Sequence, residues 1–180
     1  MFKSEEELIE SARKIHNRNS KFNHYGRWLR EPKALGLIAR RLREVGEAEK
    51  SIFYSDLFVD IEIINTNRGI HKIGWPEWSS FEDEMINNVL EYLTYNSYAN
   101  HGFMVTALII NAKGKYKSLP GTDFLMLYNK IQAWPLDPPK LHPIDMPDYK
   151  ILVKKHTQMA HEFYQSRRDA RGILSVESLL

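Results

Sequence analysis

A helix-rich α+β single domain with a two-stranded hairpin is what this sequence predicts, and three observations carry that expectation. Apolar residues recur at three- and four-residue spacing in several long segments, the mark of helices with one buried face. Phe103–Asn111 is nearly all apolar and reads as a strand buried on both faces, with Lys113-Gly114-Lys115 as a tight turn and Tyr116–Leu119 as the returning strand. The chain has 180 residues, 43 % of them hydrophobic, enough for one domain with a sizeable core.

In chain order, Ser4-Glu5-Glu6-Glu7 matches a capping box, in which the serine oxygen accepts an orphan amide hydrogen bond and Glu7 reaches back. A first helix is expected from Ser4 or Glu5 to about Asn17, with Leu8, Ile9, Ala12 and Ile15 on one stripe and a polar loop behind it. Pro32 suits the first turn of a second helix running to about Val45, with Leu35, Ile38, Ala39, Leu42 and Val45 on one face and Gly46 as terminator. Ile52-Phe53-Tyr54 reads as a short extended piece before a brief helix capped by Ser55, or else as the start of one continuous strand to Ile64. Asn65 to Ser80 reads as a long loop. Ser79 or Ser80 then caps a helix to about Tyr98, with acids in its first turn and Met85, Val89, Tyr92 and Leu93 facing the core. Thr122 caps a helix through about Ile131. Five prolines between Ala133 and Asp148 predict an extended connector, and a last helix follows from about Asp148 to Arg171.

Composition narrows the chemistry. Charged residues make up 27 % of the chain, an ordinary share. No apolar stretch approaches the length of a membrane span, and the acidic start MFKSEEELIE is unlike a secretory signal, so a cytoplasmic protein of a microbe or virus is expected. Cysteine is absent, which removes disulfides, thiolate zinc sites and cysteine nucleophiles.

The net charge of +2 conceals an asymmetry. Between Ser11 and Arg43 stand ten basic residues (Arg13, Lys14, Arg18, Lys21, Arg27, Arg30, Lys33, Arg40, Arg41 and Arg43) against the single acid Glu31. The stretch carries +9 and leaves −7 on the remainder. Lys113, Lys115 and Lys117 alternate, so an extended chain presents them on one side as phosphate contacts. Lys21, Arg27, Arg30, Arg40, Arg41, Arg43 and the three turn lysines are therefore the candidate nucleic-acid contacts, with Trp28, Tyr25 and Tyr116 able to stack on exposed bases. The helix before the turn carries no Lys or Arg from Glu82 to Tyr98, which shifts the expected weight to the basic stretch near the start.

Helix, short element, helix and a hairpin with a basic tip is the order of a winged helix, which makes the centre of the chain winged-helix-like. "FYSDLFVDI" followed by "ALIINAKGKYKSLPGTDFLMLYNKI" also resembles the DNA-binding domain of alkyltransferase-like proteins over Phe53–Ile131. The resemblance implies a Tyr-containing helix start, an apolar strand, a Gly-marked hairpin and a closing helix. The family's reactive-site run is absent, with Gly102-Phe103-Met104-Val105 in its place, and so is its arginine-rich recognition helix; only the winged-helix topology is implied.

Other patterns are weaker. Restriction-type nucleases place a carboxylate-x-Lys after an apolar strand; here Asn111-Ala112-Lys113 stands there, and asparagine lacks the charge that a hard cation wants, with Asp56, Asp60 or Glu62 as the upstream ligand. His156 and His161 are five apart rather than the four of a zinc helix. Ser118 and Ser175 lack a glycine elbow. Trp75 and Trp78 flank Pro76-Glu77 and read as loop anchors or as a hot spot for a protein partner.

These readings divide the chain into a basic helical arm (1–31), a winged-helix-like core (32–133), a proline-rich connector (134–147) and a C-terminal helix (148–180). The expected function is non-catalytic nucleic-acid binding with no cofactor and no metal. An adaptor or inhibitor of an acidic protein partner, using Trp75 and Trp78, is the alternative, and a nuclease-like enzyme with a degenerate metal site the third. The C-terminal helix is a candidate homo-oligomer contact.

Overall fold

The computed structural model describes residues 3–21, 25, 31–65, 69–73, 80–135 and 146–169. Helices dominate: α1 (Glu5–Lys21), α2 (Pro32–Glu47), the short α3 (Tyr54–Phe58), α4 (Ser80–His101), α5 (Thr122–Ala133) and α6 (Met146–Asp169). Short strands accompany them: β1 (Ile52–Phe53) runs parallel to β4 (Ile109–Ile110), and β2 (Glu62–Asn65) pairs antiparallel with β3 (Gly69–Lys72), Glu62 opposite Lys72. The chain is thus helix-rich with small sheets, compatible with α+β. Among the described residues no helix is long and apolar enough to cross a membrane.

The capping box forms at the start of α1. The Ser4 amide donates to Glu7 Oε2 at 2.7 Å and the Glu7 amide to Ser4 Oγ at 3.3 Å. The helix runs four residues beyond the expected end, and Leu8, Ala12 and Ile15 are buried. It is no separate arm: its apolar stripe packs with Tyr95, Tyr98 and Ala99 of α4 and with Phe124 and Ile131 of α5 in one of two buried clusters. In the other cluster, α2 meets α3, the first half of α4 and the second half of α6. Helices α4 and α6 contribute to both clusters and tie them together. The C-terminal helix docks on the body, burying Tyr149, Val153, His156, Ala160 and Tyr164. It begins at Met146 instead of Asp148.

Gly46 does not terminate α2, which ends at Glu47, with Glu49 taking the positive φ of 52° beyond it. Its role is close packing: a Cβ at Gly46 would overlap the ring of Tyr164, which is itself 2 % exposed. Gly46→Ala is expected to destabilise the fold. Ala favours a helix over Gly by about 1 kcal/mol, but forcing a buried ring aside costs about 1–3 kcal/mol, and Tyr164 has no solvent-side space to enter. A urea midpoint lower than that of the parent checks it; an unchanged or higher midpoint contradicts it.

The expected strand Phe103–Asn111 is mostly something else. Val105–Leu108 is a 3-10 turn, and only Ile109–Ile110 is extended. Two backbone donors at the start of this buried run find side chains instead of a neighbouring strand. The Val105 amide donates to Ser97 Oγ at 3.0 Å and the Met104 amide to His156 Nδ1 at 3.3 Å. Thr94 and Thr106 bond to each other at 2.9 Å in the same interior. Nor does Tyr116–Leu119 return as a strand. The chain folds into a compact turn closed on Asn111, whose amide donates to Leu119 O at 2.9 Å and whose carbonyl accepts from the Ser118 amide at 2.8 Å. The hairpin lies earlier, at β2–β3, where a loop was expected from Asn65. A continuous strand from Ile52 to Ile64 is ruled out by α3 and by the positive φ of 59° at Asp60.

Candidate functional site

The basic stretch near the start of the chain is divided by the fold, because α1 and α2 sit in different clusters. Several of its charges are also partnered. Arg13 lies 2.7 Å and Lys14 3.6 Å from Glu10. Arg40 lies 3.8 Å from Glu44 and Arg43 3.6 Å from Glu47, one helical turn along α2. Arg41 serves the fold, since its Nη1 donates to Leu57 O and Val59 O at 2.7 Å each and closes the end of α3. Arg18 lies 4.6 Å over the ring of Trp134. Arg40, Arg41 and Arg43 thus each have a partner on or beside α2; the window that gave +9 began one residue after Glu10 and ended one before Glu44. Tyr25 is not free to stack on a base either, because it is buried against His16 and Tyr92. Lys21 is exposed, while Arg27, Arg30, Trp28, Trp75 and Trp78 lie outside the described residues.

The turn lysines differ. Lys113, Lys115 and Lys117 are exposed and make no ion pair among the described residues; Lys115 Nζ sits 5.5 Å from the Tyr116 ring centroid. The turn that carries them is held on several sides. Gly114 takes a φ of 80°, open to glycine, and the Lys117 amide donates to Gly114 O at 3.1 Å. Asn111 Nδ2 donates to Leu119 O at 3.1 Å. Where the turn leaves for α5, the Tyr149 hydroxyl lies 2.8 Å from Pro120 O and 3.1 Å from Gly121 O, and the Tyr116 ring meets the Tyr149 ring edge-on at 5.6 Å. The lysines stand on a braced support.

A cleft opens on each side of this turn. The first, about 650 Å³, lies between the turn and α6 and is lined by Ser118, Leu119, Lys150, Lys154, Thr157 and His161 among others. Lys150 and Lys154 are one helical turn apart, exposed, and without an ion pair among the described residues. The far end of this cleft is polar but not cationic: Gln165 bonds to Glu49, Gln158 Nε2 donates to Glu162 at 2.8 Å, and His161 Nε2 lies 3.0 Å from Lys50 O. The second cleft, about 420 Å³, is lined by Tyr54, Asn111, Lys113, Lys115, Tyr116 and Asp123 among others. Burial pushes the Tyr54 hydroxyl up to about 12, the Asp123 carboxylate adds to the rise, and a backbone hydrogen bond at Gly121 opposes it. Asp123 itself is raised by burial.

Sequence reasoning named Lys113, Lys115 and Lys117 but missed Lys150, Lys154, Tyr54 and Asp123. The spacing of Lys150 and Lys154 was a signal that could have paired them on one helix face. The nuclease reading gains no support from Asp60, whose carboxylate is 2.5 Å from Lys72 Nζ, and among the described residues no group of three His, Asp or Glu could hold a metal ion. His156 is 1 % exposed, and its Nδ1 accepts a backbone hydrogen bond, which requires the uncharged ring.

Comparison with protein-family models, with curated proteins and with solved structures finds no match to this chain.

Proposed function

We propose that the protein is a non-catalytic nucleic-acid-binding factor whose phosphate-contacting surface is the Asn111–Leu119 turn together with the adjoining face of α6. The observation that carries this reading is a contrast in pairing: five lysines around one braced turn make no ion pair among the described residues, while Arg13, Lys14, Arg40 and Arg43 each lie within 4 Å of a carboxylate in their own helix. Unpaired ammonium groups displace condensed counterions from a polyphosphate without first giving up a carboxylate partner, which is the dominant favourable term in such binding. From the winged-helix resemblance the reading keeps one element, a basic turn after a long helix that tracks the backbone.

Fluorescence anisotropy with labelled 20-nucleotide single strands and duplexes tests it. Binding is expected at low salt, with log K falling against log[salt] at a slope of about −3.5 to −4.5, the value for five neutralised phosphates. Undetectable binding to every nucleic acid at low salt contradicts the proposal. Equal affinity for polyglutamate would point instead to an acidic protein partner.

A further inference from the structure

The cleft between the turn and the start of α5 combines two chemistries that a phosphate alone does not satisfy. Lys113 and Lys115 line it, and so does Asp123, in the first turn of α5. The Asp123 side chain is half-buried and has no hydrogen-bond donor or cation partner among the described residues. A partly desolvated carboxylate without donors is costly, and it is satisfied by N–H or O–H groups brought by a ligand. A simple anion meets repulsion at Asp123, and a simple cation meets it at the lysines. A ligand that joins an anionic group to a hydrogen-bond-donating edge satisfies both ends. Tyr116 adds an aromatic wall, and about 420 Å³ falls within the range of small-ligand pockets.

We propose that this cleft holds one unpaired nucleotide, its phosphate on Lys113 and Lys115 and the N–H groups of its base edge on the Asp123 carboxylate. The assignment rests on the polyanion reading for the two lysines and adds a base contact that phosphate binding does not require. Guanine suits it best, because its neighbouring N1–H and N2–H groups match the two carboxylate oxygens.

The test uses the full chain and free mononucleotides, titrated by heteronuclear NMR: guanosine monophosphate, inosine monophosphate, which lacks the 2-amino group, and ribose 5-phosphate. Guanosine monophosphate is expected to bind saturably and tightest, shifting the amides of residues 113–123. Asp123→Asn, nearly isosteric and checked for its fold by circular dichroism, is expected to weaken guanosine monophosphate about tenfold, the worth of a paired base contact, while ribose 5-phosphate, relieved of the carboxylate's repulsion, binds no more weakly than before. Unchanged or tighter guanosine monophosphate binding in Asp123→Asn overturns the proposal, as does ribose 5-phosphate binding as tightly as the nucleotide. Salt-dependent oligonucleotide binding with no saturable mononucleotide binding overturns this assignment alone. Mononucleotide binding in a protein that ignores oligonucleotides upholds it and overturns the polyanion surface.

Discussion

Replacing Lys113, Lys115 and Lys117 together by glutamate is expected to lower nucleic-acid affinity by about 100-fold or more at low salt and to make the salt slope shallower by about 3. The physical reason is double. Three counterion-releasing contacts vanish, and three like charges now face the phosphates. Fold damage is not expected, because all three side chains are exposed and the turn is held by backbone groups, Asn111 and Tyr149. Reversing Arg40 and Arg43 is the informative control. Each sits one turn from a carboxylate on α2, so the loss expected there is much smaller. Anisotropy titrations at several salt concentrations read both variants. Equal losses from the two would mean that pairing does not decide which cations meet the ligand.

The second large effect is on stability against pH. His156 lies among Tyr98, Phe124 and Tyr128, and its Nδ1 accepts the Met104 amide. Burial, with the nearby Lys155 charge adding to it, pushes its pKa down to about 4 from an ordinary value near 6.5. The unfolded chain therefore takes up a proton at this residue that the folded chain refuses. Stability from this residue is fully present above about pH 6.5 and is lost as the pH falls toward 4, by about 3 kcal/mol in all. That is a large share of the 5–15 kcal/mol typical of a domain. His16 and His101 are also lowered, both mainly by burial, and act in the same sense. Urea denaturation at pH 7.0, 5.5 and 4.5 checks it. His156→Gln keeps an acceptor for Met104; it should be less stable at pH 7 yet lose less on acidification. A variant with the same acid loss as the parent would contradict a neutral buried His156.

Much of the helical framework was legible because its signals are local. The Ser4/Glu7 box, the α2 stripe and the long periodic segments of α4 and α6 each declare themselves within a few turns. Gly102, with a φ of 75°, ends α4 as a glycine should, although the helix runs three residues past the expected Tyr98. Phe103–Asn111 was not legible. A run that is apolar throughout has no period to read, and its conformation is set by Ser97 and His156, acceptors that only the fold brings alongside. Gly46 looked like a terminator because Tyr164, which requires it, is far away in the chain.

The candidate surface was half legible. The alternating turn lysines were visible, but the larger weight fell on the stretch ending at Arg43, where counting charge in a window missed the acids at helical spacing just outside it. Lys150 and Lys154 join the turn only through tertiary packing, and Asp123 becomes notable only once its burial without a donor is seen.

Lysine protection tests the proposed surface most directly. The protein is briefly acetylated with and without a saturating oligonucleotide at low salt, and modification at each lysine is read by mass spectrometry. Lys113, Lys115, Lys117, Lys150 and Lys154 are predicted to be shielded together, with Lys14 and Lys33 unaffected. Shielding confined to Lys14, Lys21 and Lys33, with the turn and α6 modified as in the free protein, would contradict it.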